Sequence, residues 1–205
     1  MKQILLACLT LTLTGAVYSR APIRQAARPK CNLTEANSPN VRGIRLGMST
    51  DQLLALFPGS AESKEIKAAL EHAKMHGANE TLYLSFAPAD YSTKDRFASI
   101  DSVAVVLYKG RAIDFTVVYL GTTWSNIDQW VAKLSGSFKL PGSREWTPGP
   151  SEMPNKVLKC NGFEIEAATA GGSASIRVRS EAQTKEMEKR AEAEEERRRH
   201  EFKPR

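Results

Sequence analysis

Long apolar runs, cysteines and known catalytic motifs are scarce or missing in this sequence of 205 residues. No apolar stretch reaches the roughly 18 residues that a membrane-spanning helix requires, which argues against an integral membrane protein. The phosphate-binding pattern GxxxxGK, the dinucleotide-binding pattern GxGxxG and the nucleophile pattern GxSxG are all absent. We therefore expect no nucleotide-dependent enzyme of those classes, no serine hydrolase of the GxSxG type and no cofactor.

What is present is the composition of a globular protein. Hydrophobic residues make up 41% of the chain and charged residues 25%, and both values are near the usual average. A length of 205 residues fits one domain better than two, since a domain takes roughly 150 residues. The sequence thus predicts one packed domain with shorter segments at its ends.

Residues 1–19 have the layout of a secretory signal peptide. Lys2 supplies the positive charge, residues 4–13 form the apolar region, and small residues precede a cleavage point near residue 20. A buried N-terminal helix is the alternative. Lipidation of Cys8 is not expected, because cleavage there would leave an apolar region of only about four residues, which is too short. We predict export, and hence a secreted or periplasmic protein.

Removal of a signal peptide leaves two cysteines, Cys31 and Cys160, in an oxidising compartment. We expect them to form a disulfide that ties the start of the domain to its last strands. Two free thiols and a catalytic cysteine are the alternatives. They are less favoured because neither cysteine lies in a CxxC pair or has a histidine near it in the sequence.

The positive charge is concentrated outside the predicted domain. Residues 20–30 contain four basic and no acidic residues, whereas residues 31–180 contain 16 basic and 15 acidic residues. A nucleic-acid-binding domain is expected to carry a basic face with interleaved aromatic residues, so we predict no nucleic-acid partner. Residues 20–30 are expected to form a flexible basic arm, with weak contact to acidic lipid headgroups as the alternative.

Capping signals and apolar periodicity predict three helices within the domain. Residues 41–46 alternate between apolar and other residues, which predicts a short strand before the first helix. Ser49 and Gln52 then form a capping box that opens this helix. A second, amphipathic helix covers residues 62–76, and a third runs from Ser125, its expected N-cap, to residue 135.

Strands are predicted where β-branched and aromatic residues dominate. The strongest signal is a hairpin around Lys109-Gly110-Arg111, and residues 141–155, with four prolines and two glycines, predict a loop. The predicted strands cover residues 82–86, 100–108, 112–120, 157–160, 163–168 and 174–178. This order predicts an α+β fold with helices packed on an antiparallel sheet, and two tandem helix-plus-three-strand units are one interpretation of it.

Residues 43–59, GIRLGMSTDQLLALFPG, resemble the opening of the SmpA/OmlA family, small outer-membrane assembly proteins that share a fold with the β-lactamase inhibitor protein. Gly47, Met48, Ser49 and Gln52 match the family's pattern G-M-T/S-x-x-Q before a hydrophobic residue. The resemblance implies helices packed on an antiparallel sheet. It transfers no binding residue and no activity.

Few side chains form a pattern that points to chemistry, and no catalytic set is predicted. His72 and His76, four residues apart on the second helix, could hold Zn or Cu, but an exposed pair without a third ligand is favoured, so we predict no metal site. Asp114, within an apolar strand, is expected to face solvent, and Trp130 to lie in the core. Trp146 is expected to fold down as a lid over its loop, with contact to a partner as the alternative.

Residues 181–205 contain 8 acidic and 8 basic residues and few apolar ones. Several glutamates precede a basic residue by four positions, the orientation that stabilises a single helix. Apolar residues do not repeat at heptad spacing, so a solvated helix with few contacts to the domain is favoured over a coiled coil. We expect the folded domain to span residues 31–180.

Two functions stay open on the sequence alone. The favoured one is an exported, noncatalytic binding or scaffolding protein of the cell envelope, with an unidentified envelope or extracellular partner. The alternative is a small secreted hydrolase or metal-binding protein that uses His72 and His76. The missing catalytic motifs and the predicted disulfide-bonded α+β domain favour the first.

Overall fold

The structure, a computed structural model, describes residues 31–76, 81–93, 95–121, 124 and 126–201. The predicted signal peptide (1–19) and basic arm (20–30) lie outside these residues. The helices of the described part are α1 (Thr50–Leu54), α2 (Lys64–His76), α3 (Ile127–Phe138) and α4 (Glu181–Glu201). Its strands are β1 (Thr81–Phe86), β2 (Ile100–Tyr108), β3 (Arg111–Tyr119), β4 (Thr147–Pro148), β5 (Asn155–Lys159), β6 (Phe163–Ala170) and β7 (Ser173–Ser180).

The seven strands form one antiparallel sheet in the order β1-β2-β3-β7-β6-β5-β4. The predicted α+β fold is therefore confirmed. The loop predicted over residues 141–155 is partly wrong, because β4 lies within it and pairs with β5. The tandem arrangement stays a prediction, since strand order alone does not test a common origin of the two halves.

One face of the sheet carries the main core. Side chains alternate along each strand, and the apolar set points towards the helices. Helix α2 packs against β1, and α3 packs against β5 and β6. Phe57 stacks on Phe86 at 4.2 Å and on Phe97 at 4.8 Å between ring centroids, and all three side chains are buried. We call the opposite side of the sheet the open face.

The open face carries charged residues on its central strands, and these charges pair across the strands. The carboxylate of Asp114 on β3 accepts hydrogen bonds from Arg177 of β7, with both Nε distances at 3.0 Å. Arg179 Nε lies 3.3 Å from Asp114 Oδ2, and Arg179 Nη1 lies 3.6 Å from Glu164 Oε1 on β6. Asp114 points away from the core but is only 6% exposed, so the expectation that it faces solvent is wrong. The two arginines cover it.

The predicted strand over residues 41–46 is a tight turn instead. Val41 and Ile44 exchange backbone hydrogen bonds of 2.9 and 3.0 Å, and the two residues between them adopt positive φ, 57° at Arg42 and 104° at Gly43. Side chains on either side of this turn are buried, which explains why the segment reads as a strand. Such a pair of positive φ values is typical of a two-residue hairpin turn.

The capping predictions are confirmed for α1 and corrected for α3. Ser49 caps α1, accepting from Gln52 N at 3.2 Å, while Gln52 Oε1 accepts from Ser49 N at 2.9 Å. The N-cap of α3 is Asn126, whose Oδ1 accepts from Gln129 N at 3.0 Å. The predicted cap, Ser125, lies outside the described residues. Asn and Ser are both favoured at this position, so the sequence did not separate the two neighbours.

Cys31 and Cys160 form a disulfide across a sequence separation of 129 residues. Cys160 follows β5 directly, so the bond ties the start of the described chain to the second half of the sheet. The predicted pairing is confirmed in the structure, and it is consistent with an extracellular or periplasmic location. Among the described helices, none combines the length and the apolar character needed to span a bilayer.

Helix α4 is a single charged helix that follows β7 without a break. Its first two turns meet β3, β6 and β7. Thr184 is buried, and Glu186 accepts from Lys109 at 2.6 Å at the β2–β3 hairpin turn. From residue 188 to residue 201 every position is exposed. The expected solvated helix is thus observed for its distal part, whereas its proximal part docks on the sheet. The described residues of α4 give no support to a coiled coil.

Candidate ligand-binding site

A concave site of about 410 Å³ lies between α3, the end of β3 and the turn at residues 41–44. We call it the aromatic pocket. Its volume falls within the range of small-molecule sites, roughly 300–1,000 Å³. The described residues that line it are Asn40, Val41, Arg42, Tyr119, Trp124, Trp130, Lys133, Leu134, Ser137 and Phe138.

Three aromatic side chains form one continuous wall of the pocket. Trp130 packs edge-on against Tyr119, with ring centroids 5.2 Å apart and an interplanar angle of 66°. Trp124 lies 5.4 Å from Trp130 at an angle of 41°. Trp130 is 4% exposed, whereas Tyr119 and Trp124 are half-buried and keep surface towards the pocket. The expectation that Trp130 lies in the core is confirmed, and the same ring also supports this wall.

Helix α3 positions one side of the pocket through its spacing. Trp130, Lys133, Leu134 and Ser137 recur every three or four residues, so they share a face of the helix. The buried members, Trp130 and Leu134, fix the helix to the sheet, and the exposed Lys133 and Ser137 stand at the mouth. The boundary between the buried and the exposed face of α3 therefore supplies both the floor and the rim of the aromatic pocket.

The turn at residues 41–44 forms the side of the aromatic pocket opposite α3. Asn40 Oδ1 accepts from Gly43 N at 2.7 Å, and Arg96 Nε donates to the carbonyl oxygen of Arg42 at 3.0 Å. Glycine is favoured at position 43 because its φ of 104° is one that residues with a side chain rarely adopt. Arg42 is held at a positive φ, which is uncommon for a residue with a side chain, and its guanidinium lies at the rim.

The two indole groups of the wall differ in their hydrogen bonding. Trp130 Nε1 donates to the carbonyl oxygen of Ser175 at 2.8 Å. Trp124 Nε1 is buried and has no acceptor among the residues that the structure describes. A buried donor without a partner costs about 1–3 kcal/mol. Because Nε1 itself is buried, it does not face the open space of the pocket, and Trp124 contributes ring surface rather than this donor to the wall.

Tyr119 and Arg42 are the two residues that determine the electrostatics of the aromatic wall. Burial raises the pKa of the Tyr119 hydroxyl, and the positive charge of Arg42 opposes this rise. The hydroxyl is thus neutral at physiological pH and lies within the field of the guanidinium. Among the described lining residues there is no carboxylate, histidine or cysteine, so the pocket offers hydrogen bonds, cations and apolar surface but no general base near pH 7.

A second hollow of about 440 Å³ lies beside the disulfide. Its described lining consists of Cys31, Asn32, Lys159, Cys160 and Asn161. It has no aromatic wall, and its one charged side chain, Lys159, is exposed. The aromatic pocket is therefore the stronger candidate.

The structure separates the residues that the sequence singled out. His72 is exposed on α2, and α2 ends at His76, whose side chain lies outside what the structure describes. Within the described residues no group of three or more His, Cys, Asp or Glu side chains could hold a metal ion. The histidine pair itself stays untested.

Trp146 is 4% exposed, and its Nε1 donates to the carbonyl oxygen of Pro141 at 3.3 Å. It is folded down onto its own loop, as the favoured interpretation expects. In this position the ring offers almost no surface, so the alternative of an exposed partner contact finds no support here.

Comparison with known proteins adds no family to this description. No protein-family model matches the chain, and neither curated proteins nor solved structures give a significant match. The resemblance of residues 43–59 to the SmpA/OmlA family stays a prediction. Fold and site define the class only as an α+β protein with an open antiparallel sheet and a small aromatic pocket.

Proposed function

We propose that this chain is an exported binding protein of the cell envelope that holds a small ligand in its aromatic pocket and performs no chemistry on it. The single observation that carries the proposal is the composition of the pocket. Half-buried aromatic surface and two cationic residues, Arg42 and Lys133, line one cavity of about 410 Å³. Few, well-placed polar groups in an apolar cavity are typical of small-molecule sites.

Binding without catalysis is favoured by what the lining contains. The Tyr119 pKa is raised by burial, so its hydroxyl is not poised to act as a general base near pH 7. Ser137 lines the pocket from α3, but no histidine or carboxylate is among the described lining residues to activate it.

Export is supported by the layout of residues 1–19 and by the disulfide between Cys31 and Cys160. The expected mature chain begins near residue 20. Intact-mass measurement of the protein recovered from the cell envelope or the medium tests this step. A chain that retains residues 1–19 in the cytoplasm contradicts it.

The binding function is tested by equilibrium dialysis against small-molecule extracts of envelope and medium, with retained compounds identified by mass spectrometry. The parent protein is compared with Trp124→Ala, which removes part of the wall, and with Ser137→Trp, which fills the mouth. Tyr83→Ala is the matched control, because Tyr83 is an aromatic residue 65% exposed on β1. Circular dichroism confirms that each variant is folded.

We expect the parent and the Tyr83→Ala control to retain the same compound with its mass unchanged, and the two pocket variants to lose it. Equal retention by all four proteins, or by none, refutes the pocket as the site. Recovery of a compound of altered mass refutes the noncatalytic role. If conversion then required zinc together with His72 and His76, the hydrolase alternative would replace the proposal.

A further inference from the structure

The described side chains around the aromatic pocket carry charge of one sign. Arg42 and Lys133 are cationic, and no aspartate or glutamate is among the described lining residues. Residues 119–127 contain no acidic residue, and the next residue, Asp128, pairs with Lys156 of β5. An anionic group in the pocket would meet two cations and no like charge from this wall.

The size of the pocket favours a small molecule over a macromolecular surface. A volume of about 410 Å³ lies near the lower end of the range for small-molecule sites, roughly 300–1,000 Å³. A rim formed by a tight turn on one side and a helix on the other encloses the site from two directions. The occupant is thus expected to lie in a concave, half-open site, with one side in contact with the wall and the other towards solvent.

The wall favours an aromatic body. Tyr119 and Trp124 are half-buried and flank Trp130 at centroid distances of 5.2 and 5.4 Å. The planes of Tyr119 and Trp124 are inclined to that of Trp130 by 66° and 41°. An inserted ring can therefore meet the exposed surface of Tyr119 and Trp124 in the inclined or offset arrangements that aromatic groups prefer. Phe138 adds a fourth aromatic side chain to the lining.

Resting on the proposed function, we propose that the ligand of the aromatic pocket is a small aromatic carboxylate. Its ring packs against Trp124 and Tyr119, and its carboxylate pairs with Arg42 and Lys133 at the rim. Arginine suits this role because its planar guanidinium can donate two hydrogen bonds to one carboxylate. The turn that holds Arg42 at a positive φ fixes the backbone position from which this exposed side chain extends.

The proposal is tested with three probes by isothermal titration calorimetry on the mature, disulfide-bonded protein. The probes are 2-naphthoate, the neutral 2-naphthalenemethanol and the aliphatic decanoate. We expect 2-naphthoate to bind at least roughly tenfold tighter than the alcohol, because hydrogen bonds to charged groups are the stronger ones. We also expect it to bind tighter than decanoate, which lacks a ring.

Matched variants assign the charge effect to the rim. Arg42→Gln and Lys133→Gln should each weaken 2-naphthoate binding by roughly tenfold and leave 2-naphthalenemethanol unchanged. Lys185→Gln is the control, because it removes an exposed lysine on α4 and should change neither affinity. Raising the salt concentration should weaken 2-naphthoate binding and leave the alcohol unaffected.

Equal affinity for 2-naphthoate and 2-naphthalenemethanol overturns the role of the cations, and tighter binding of decanoate overturns the aromatic class. Absence of 2-naphthoate binding at millimolar concentration also overturns the inference. If the dialysis experiment nevertheless retains a compound in a pocket-dependent way, the binding function stands and only the ligand class is wrong. If both experiments are negative, both proposals fall.

Discussion

Replacing Asp114 by alanine should destabilise the domain far more than removing any exposed acidic residue. The carboxylate is 6% exposed and is surrounded by two guanidinium groups on the neighbouring strand, Arg177 and Arg179. Its removal leaves two positive charges side by side with no counter-charge on β3. The hydrogen bond to Asp114 raises the Arg177 pKa in the parent. Arg177 also stays charged without this bond, because a guanidinium is effectively always protonated at neutral pH.

The magnitude follows from how much water the arginines retain. Breaking a fully buried ion pair costs about 3–5 kcal/mol. The side chains of Arg177 and Arg179 are 39% and 26% exposed, and Glu164 stays 3.6 Å from Arg179, so water and this carboxylate partly compensate the two positive charges. We therefore expect the free energy of unfolding to fall by about 2 kcal/mol for Asp114→Ala. Asp114→Asn, which can still accept a hydrogen bond, should cost about half as much.

The matched control is Asp128→Ala. Asp128 also pairs with a basic residue across elements, Lys156, but its side chain is 61% exposed. A surface pair of this kind contributes about 0–1 kcal/mol, so the control should stay near the parent. Urea unfolding followed by far-UV circular dichroism, with the disulfide intact, gives the free energy of each variant. Indistinguishable values for Asp114→Ala and Asp128→Ala would refute the reasoning.

Three further predictions concern other parts of the molecule. Replacing Cys31 and Cys160 by serine should lower the free energy of unfolding by at most about 5 kcal/mol, which is the chain-entropy value for a separation of 129 residues. Detection of two alkylatable thiols in the unreduced parent would contradict the disulfide. Deleting residues 191–205 should leave the melting temperature within a few degrees of the parent value. Deleting residues 181–205 should lower it clearly, because the first turns of α4 dock on the sheet. Equal melting temperatures for the two deletion variants would contradict the docking. Burial raises the pKa of Tyr119, so the folded protein should ionise this residue above its ordinary pKa of 10.0, and the free energy of unfolding should fall as pH rises from 10.0 towards the higher pKa. A difference absorbance titration of the parent against Tyr119→Phe measures the pKa. A midpoint at or below 10.0 would contradict the burial.

Local signals in the sequence were sufficient for much of the fold. The capping box at Ser49 and Gln52 depends on neighbours in the chain, and so does the hairpin at Lys109 and Gly110. Both predictions are confirmed. The segment 41–46 is an exception. Its buried residues are Val41, Ile44 and Leu46, and the first two are three positions apart because they close a turn packed on the core.

What lies above a sheet face could not be predicted in the same way. The alternation of side chains along β3 correctly predicts that Asp114 points away from the core. It contains no information on the two arginines of β7 that cover Asp114. Those arginines lie more than sixty positions later and reach Asp114 only through the β3–β7 pairing. The docking of α4 was missed for the same reason, since Glu186 pairs with Lys109 from a distant part of the chain.

The aromatic pocket was also beyond sequence reasoning, because three separate segments build it. Trp130 was read as a core residue, which is correct, but its neighbours Tyr119 and Trp124 come from the end of β3 and the loop after it. Arg42 enters from a turn that the sequence pattern presents as a strand. The one available signal was the spacing of Trp130, Lys133 and Ser137 on α3, which marks a boundary between buried and exposed positions.

The position of β7 in the sheet determines the order in which the sheet can form. It is the last strand in the chain, yet it lies in the middle of the sheet, pairing with β3 on one side and β6 on the other. A chain that emerges N-terminus first can form β1–β3 early, but the two half-sheets cannot join until residue 180 has emerged. Until then β3 and β6 each present an unpaired edge, the kind of surface that draws strands from other chains. Weakening β7 should therefore divide the domain at its centre rather than fray its rim, and it should make assembly errors during synthesis more frequent.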